Sequence, residues 1–158
     1  MIRPATRADV PVILELIRAL AVYEKLENDV VIRGVDLAEH LFGPRPYAEC
    51  LLAEDGGFVV GFALFFHNYS TFRGKPGIYL EDLFVKPEYR GRGFGHQLFV
   101  ELAKLAVERD CARLEWAVLD WNAPAISFYE RLGAVPHTGW TSYRLTGEAL
   151  GKLAKPKE

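Results

Sequence analysis

Two groups of residues able to do chemistry lie close together in the stretch YLEDLFVKPEYRGRGFGHQLFVELAKLA, Tyr79 to Ala106. The first is an acidic pair, Glu81-Asp82, set in an apolar run. The second is a basic glycine loop, Arg90-Gly91-Arg92-Gly93-Phe94-Gly95, placed where that run gives way to a helical pattern. Such a loop presents backbone N–H groups at a helix N-terminus, where the helix dipole favours an anion. Its glycines accept positive φ and let phosphate oxygens approach with no Cβ in the way. Arg90 and Arg92 can add charge-assisted bonds. The spacing excludes the two commonest nucleotide loops. Counted from Gly91, the last position of G-x-G-x-x-G is His96, and no Gly-Lys-Ser/Thr follows as a P-loop requires. The pattern that fits is Arg90-x-x-Gly93-x-Gly95 directly after a strand, and its chemistry asks for a pyrophosphate. The plain alternative is a tight, solvated turn with incidental arginines.

Adjacent strand residues point to opposite faces, so one of Glu81 and Asp82 must face a packed surface. The alternative is a solvated pair on an edge strand. Glu24, Glu27, Asp29 and Asp120 could add negative potential to the same mouth, although residues 24–29 also read simply as the polar end of a helix.

The elements that must position these groups follow from periodicity. Met1 to Arg3 reads as a short strand, and Thr6 with Asp9 resembles a capping box just before Pro11. Ile13, Leu16, Ile17, Leu20 and Ala21 recur at helical spacing, which predicts an amphipathic helix over 8–25. A shorter helix covers Val35 to Leu41 and stops at Gly43-Pro44. Apolar runs at Ala48–Ala53 and Phe58–Phe66 flank Asp55-Gly56-Gly57, a hairpin signal. Tyr79 to Val85 reads as the next strand, ended by Lys86-Pro87. A helix follows from Gly93 to Arg109, with Leu98, Phe99, Leu102, Leu105 and Ala106 on one face. Leu114 to Leu119 predicts a strand, Ala123 to Leu132 a helix ended by Gly133, and residues 134–146 a final strand pair. This order joins an antiparallel half to a β-α-β half, so the expected fold class is α/β (α+β) with a mixed sheet.

The chain has 158 residues, enough for one domain over 1–158 with a substantial core. Its net charge of −2 lacks the basic footprint of a nucleic-acid binder. Cys50 and Cys111 stand far apart without a C-x-x-C pattern, so they form neither a disulfide framework nor a metal site and read as reduced, buried thiols. The start MIRPATRADV has no apolar signal region, and no apolar run reaches the length of about 18 residues that a membrane helix needs. A cytoplasmic protein without a membrane partner is expected.

The motif Arg90-x-x-Gly93-x-Gly95 resembles the acetyl-CoA pyrophosphate loop of GNAT-type N-acetyltransferases. The likeness runs from "IRPAT" to "GEAL" and is closer to the spermidine/spermine acetyltransferase group through "YLEDLFV", "EYRGRGFG", "WNAPAISFYERLGA" and Gly139-Trp140. "LAVYEKLE", "YSTFRGK" and "AVLDWN" are especially similar to the thialysine (S-aminoethyl-cysteine) acetyltransferase branch. The loop alone specifies only the superfamily.

The resemblance implies a GNAT fold, a mostly antiparallel sheet with a splayed parallel strand pair, flanked by helices. It implies acetyl-CoA as co-substrate with no metal. The backbone of Leu83, Phe84 and Val85 would pair with the pantetheine amides, and Arg90, Gly91, Arg92, Gly93, Phe94, Gly95 and His96 would hold the pyrophosphate. Asn122, with Ala123, Pro124 and Ala125, would contact the cofactor arm. Phe84 and Val85 read equally as core, and Asn122 as an N-cap. Tyr129 matches the family's general acid and would meet both the reaction and the cofactor thiol. Glu81 matches the base, acting on the amine through water. A lysine-like amine, with a pKa of about 10.4, must first lose a proton, at a cost of about 4 kcal/mol near pH 7. Tyr23 and Glu24 match a position that binds the substrate's distal amine, with Asp82 beside it. Ser70 stands where polyamine acetyltransferases carry an acidic residue, and Thr138 replaces a glutamate. That loss of carboxylates favours a thialysine- or lysine-like amino acid or a short diamine over spermidine and spermine. A protein lysine or N-terminus is a second acceptor class, and a non-catalytic acetyl-CoA-binding module is a third reading, against which Glu81 and Tyr129 both stand. The family is commonly dimeric, so a homodimer is expected.

Overall fold

The computed structural model describes residues 1–157. The chain divides into two compact units, Met1–Leu119 and Asp120–Glu158. The first unit holds a five-stranded sheet in the order β1 (Ile2–Pro4), β2 (Glu49–Asp55), β3 (Phe58–Ser70), β4 (Lys75–Val85), β5 (Leu114–Trp116). The first three pairings are antiparallel and the last, β4 with β5, is parallel. The mixed sheet expected from the sequence is therefore the sheet observed.

Helices cover both faces of this sheet. α1 (Val10–Tyr23) and α2 (Gly34–Phe42) bury Ile13, Leu16, Leu20, Leu37 and Leu41 against Leu52, Phe62 and Phe84. The intervening strand residues Leu51, Ala53, Ala63 and Val85 are buried too. They form the face that α3 (Phe94–Glu108) covers with Phe94, Leu98, Phe99, Leu102 and Ala106. Two-sided burial explains why these strands read as nearly continuous apolar runs.

The entry into α1 is fixed by charge. The Thr6–Asp9 capping box forms, opening one 3-10 turn that leads into the helix. Arg3 donates to both carboxylate oxygens of Asp9, at 2.8 and 2.9 Å, and through Nε to Glu54 at 2.6 Å. These bonds hold the Asp9 carboxyl well below the usual carboxylate range. β1, β2 and the start of α1 are thereby clipped together.

Several boundaries differ from expectation. β3 and β4 extend through Ser70 and from Lys75, because pairing with β3 overrides the strand-breaking look of Pro76-Gly77. β5 stops at Trp116 rather than Leu119. In the second unit, α4 (Ala123–Arg131) matches expectation and α5 (Gly147–Ala154) is an additional helix. Residues 134–146, expected as a strand pair, form no strand among the described residues. Their alternating pattern completes no ladder, and Pro136 removes one donor from any ladder they could build. No helix of the described residues is long and apolar enough to cross a membrane.

One close approach holds β3 against β4 where β4 matters most. A Cβ built on Gly61 would lie 2.8 Å from the Phe84 carbonyl oxygen and 3.2 Å from Val85 Cγ2. Gly61→Val is therefore expected to cost about 1–3 kcal/mol of stability, read as a lower Tm. An unchanged Tm would show that the strands separate freely at this point.

Candidate active site

β4 pairs with β5 from Ile78–Leu114 to Leu80–Trp116, then continues to Val85 without β5 beside it. The Lys86 N–H donates to the Val60 carbonyl at 2.8 Å, which fixes the alternation along the β3–β4 ladder. Asp82 and Phe84 lie opposite Leu64 and Phe62 as hydrogen-bonded pairs, so Leu83 and Val85 direct their amides away from β3, past the end of β5. The Val85 carbonyl accepts from Arg90 Nε at 2.9 Å. Leu83 and Val85, rather than Phe84, thus offer amide groups to an extended ligand at this edge.

The glycine loop follows. After a 3-10 turn at Pro87–Tyr89, Gly91 and Gly93 take φ of +77° and +89°, and Phe94 opens α3. Gly93 is the left-handed cap, a conformation that a side chain would strain. Nothing lies within 4 Å of a Cβ placed on Gly91, so the loop backbone is open to an approaching anion. Phe94 is buried and anchors the helix start, whereas His96 is exposed. The two arginines differ. Arg92 lies at the rim, paired with Asp55 of the β2–β3 turn at 2.8 Å. The Arg90 guanidinium stacks on Tyr23 at 4.9 Å and on Phe84 at 5.3 Å.

The acidic pair sits where the strand is irregular. Leu64 pairs with Asp82 but Phe65 pairs with Leu80, so Glu81 is the extra residue of a β-bulge. Glu81 is exposed, while Asp82 is largely covered on the α1 side. Burial pushes the Asp82 carboxyl up from the ordinary 3.8 to about 6, helped by the charges of Glu81 and Glu24. Glu24, which ends α1, is also raised, by burial. The C-terminus of α1 therefore brings Tyr23 and Glu24 to the same region as Glu81 and Asp82. Behind Asp82, burial pushes the Cys50 thiol up to about 12, with Asp9 and Asp82 adding, so it remains a thiol. Ser70 is buried far along β3, where its hydroxyl accepts the Arg73 N–H at 3.3 Å.

In the second unit, Asn122 is buried and caps α4, its Oδ1 accepting the Ala125 N–H at 3.4 Å. Ala123, Pro124 and Ala125 form the first turn of that helix, and Tyr129 follows two turns in, half-buried, with its ring 5.8 Å from Phe128. Sequence reasoning missed Asp55 as the partner of Arg92 and missed the Arg90–Tyr23 contact. No local pattern signals either, since both join distant segments.

The Asp82 environment has a measurable consequence. Its folded-state pKa lies above that of an exposed aspartate, so the folded chain holds this proton more tightly than the unfolded one. Stability is greatest below about pH 4 as far as this group is concerned, and ionisation between about pH 4 and 6 removes roughly 2–3 kcal/mol, at 1.36 kcal/mol per unit. Asp82→Asn is expected to melt about 5 °C above the parent at pH 8 and alongside it at pH 4. A gain that is equal at both pH values would remove the buried charge as its cause.

Residues 14–134 match the acetyltransferase (GNAT) family. The chain is 44% identical to the thialysine N-epsilon-acetyltransferase of Bos taurus, over 98% of this chain and 96% of that protein. It is 35% identical to the L-ornithine N5-acetyltransferase of Arabidopsis thaliana, over 98% and 87% of the two chains. Among solved structures, an integron cassette protein from the mobile metagenome of V. cholerae superposes with a TM-score of 0.83 at 29% identity, covering 99% of this chain and 98% of its own. An aminoglycoside acetyltransferase from a soil metagenomic sample shares the fold, with a TM-score of 0.77 at 18% identity over 92% and 96% of the chains. An open strand edge, a glycine loop opening a helix and a carboxylate cluster accompany a family match over most of the chain and a relative at 44% identity: the chain belongs to the acetyltransferase (GNAT) family and is an amine N-acetyltransferase.

Proposed function

We propose that this enzyme transfers acetyl from acetyl-CoA directly to a primary amine of a small cationic substrate, a thialysine- or lysine-like amino acid or a short diamine. The observation that carries this reading is the convergence of Glu24, Glu81 and Asp82 beside the open edge of β4. Asp82, whose ionisation is opposed by burial and by the charges of Glu81 and Glu24, forms with them a place where an ammonium group is welcome. The names of the relatives, which acetylate thialysine and L-ornithine, support the size and charge of the acceptor.

The residues fit acetyl-CoA. The Leu83 and Val85 amides match an extended arm that carries amides of its own. The open N–H groups of the loop from Arg90 to His96 match a pyrophosphate, with Arg92 at its rim. Asn122 and Ala123 to Ala125 join them on the strength of the resemblance. Acetyl-CoA supplies an activated thioester. Glu24, with Asp82 beside it, holds the acceptor's distal ammonium, and Glu81, exposed on the bulge, takes the proton of the reacting amine through water. Freeing a lysine-like amine near pH 7 costs about 4 kcal/mol, and Glu81 gives the proton a route from the amine to solvent. Tyr129 donates a proton to the departing thiolate, a role suited to a phenol of pKa about 10. No metal enters this scheme.

The family match runs from residue 14 to 134 and so spans both units, which supports one acetyltransferase domain over the chain. On this reading the enzyme is a cytoplasmic homodimer with no nucleic-acid or membrane partner.

Release of CoA thiol should be followed over thialysine, lysine, ornithine, putrescine, spermidine, spermine and lysine peptides. Thialysine, lysine, ornithine or putrescine is expected to give the highest kcat/KM. Efficient peptide turnover without small-amine turnover would reject the reading. In the same assay Tyr129→Phe should lower kcat about 100-fold while acetyl-CoA still binds. Full turnover by that variant would remove Tyr129 as the acid.

A further inference from the structure

We propose that the Arg90 side chain is a positioning residue for the amine acceptor and not a phosphate ligand, although it belongs to the loop that reads as the pyrophosphate seat. The inference rests on the proposed placement of the acceptor at Tyr23 and Glu24.

The geometry is specific. Arg90 Nε donates to the Val85 carbonyl at 2.9 Å, which ties the guanidinium plane to the last residue of β4. From that anchor the guanidinium carbon lies 4.9 Å from the centre of the Tyr23 ring and 5.3 Å from that of Phe84. Phe84 belongs to the core packed by α1 and α2, and Tyr23 is the last residue of α1. Arg90 therefore lies between the strand end and the helix end, its planar group facing two rings. The residue is exposed, but its guanidinium lies against two rings and its Nε is already spent on main chain. Arg92, by contrast, ends in a half-exposed ion pair with Asp55, from which an incoming phosphate could draw it.

What this arrangement orders is the C-terminus of α1. The helix ends at Tyr23, Glu24 follows as its cap, and Lys25 takes a left-handed φ of 61°, so the chain turns sharply just past the acceptor side. The exact direction of the Glu24 carboxylate depends on the Tyr23 backbone, and Arg90 holds the Tyr23 ring. The cofactor loop and the acceptor side are thus mechanically joined through one side chain. Lys86 adds a looser tie between the same elements, its Nζ 3.5 Å from Glu15 on α1.

The test separates two substrates' constants. Arg90→Lys keeps the positive charge but lacks the planar fork, and Arg90→Ala removes both. With the stacking contact gone, the amine KM is expected to rise roughly three- to tenfold in both variants. The acetyl-CoA KM and the Kd of CoA should stay within about twofold of the parent. Tyr23→Leu should raise the amine KM alike, and Tyr23→Leu/Arg90→Ala should be no worse than either single change, because one contact is lost in each. A rise in acetyl-CoA KM and CoA Kd in Arg90→Ala, restored by Arg90→Lys and with amine KM unchanged, would make Arg90 an anion ligand and overturn the proposal. Glu24→Gln tells this failure from that of the underlying reading. If Glu24→Gln leaves the amine KM unchanged, the acceptor placement itself falls. If it raises the amine KM while both Arg90 variants do not, only the brace falls. Should Arg90→Ala not fold, Arg90→Lys with a melting curve matching the parent decides the question.

Discussion

The site depends on a mismatch of length: β4 runs on to Val85 after its parallel neighbour β5 has ended at Trp116. A continuous parallel pairing would consume the amides of Leu83 and Val85 in the sheet. Ending it after Leu80–Trp116 leaves a stretch of strand edge that β5 does not cover. Such an edge is normally a liability, open to any strand. Here the glycine loop follows directly, and Pro87, which has no N–H to donate, stops the ladder just after Lys86. The bulge at Glu81 belongs to the same constraint. By adding one residue to β4 it shifts the face that each later side chain meets, so Asp82 turns toward α1 while Glu81 stays exposed.

That shift has an energetic cost that is best understood as functional. An aspartate pressed against a helix end, with two more carboxylates nearby, is less stable ionised than the same group in water. A site that must attract a cation gains by holding such charges ready, because the incoming ammonium relieves their mutual repulsion. The clip of Arg3 on Asp9 and Glu54 shows the contrast: those carboxylates are fully paired, lie far from the open edge and serve only to fix α1.

The elements were legible where local pattern decides them. The helix at 10–23 shows through Ile13, Leu16, Ile17 and Leu20, and the β2–β3 turn through Asp55-Gly56-Gly57, because each signal spans a few consecutive residues. The loop's conformation was legible for the same reason, its positive φ values falling on the patterned glycines, Gly91 and Gly93. The bulge was not, since a period-two reading counts residues and cannot see which one lacks a partner. The orientation of Arg90 depends on a ring at the end of α1, and that of Arg92 on a distant hairpin; both are tertiary facts. Residues 134–146 failed for a related reason. Alternating apolar residues describe what a strand would need, but a ladder also needs a neighbour.

The distribution of charge along the sheet bears on the acceptor's length. Ser70 stands six positions along β3 from Leu64, the partner of Asp82, which places it about 20 Å from the carboxylate cluster. It is buried and bonded to the Arg73 N–H, and its cross-strand neighbour is Lys75. A long polyamine reaching that end of the sheet would meet a neutral hydroxyl and a lysine already paired with Asp110 at 2.9 Å. A second cation only one amino-acid length from the reacting amine would remain within the field of Glu24 and Asp82. On the proposed reading, a short diamine or an amino acid with a basic side chain suits this cluster of carboxylates better than an extended chain of charges does.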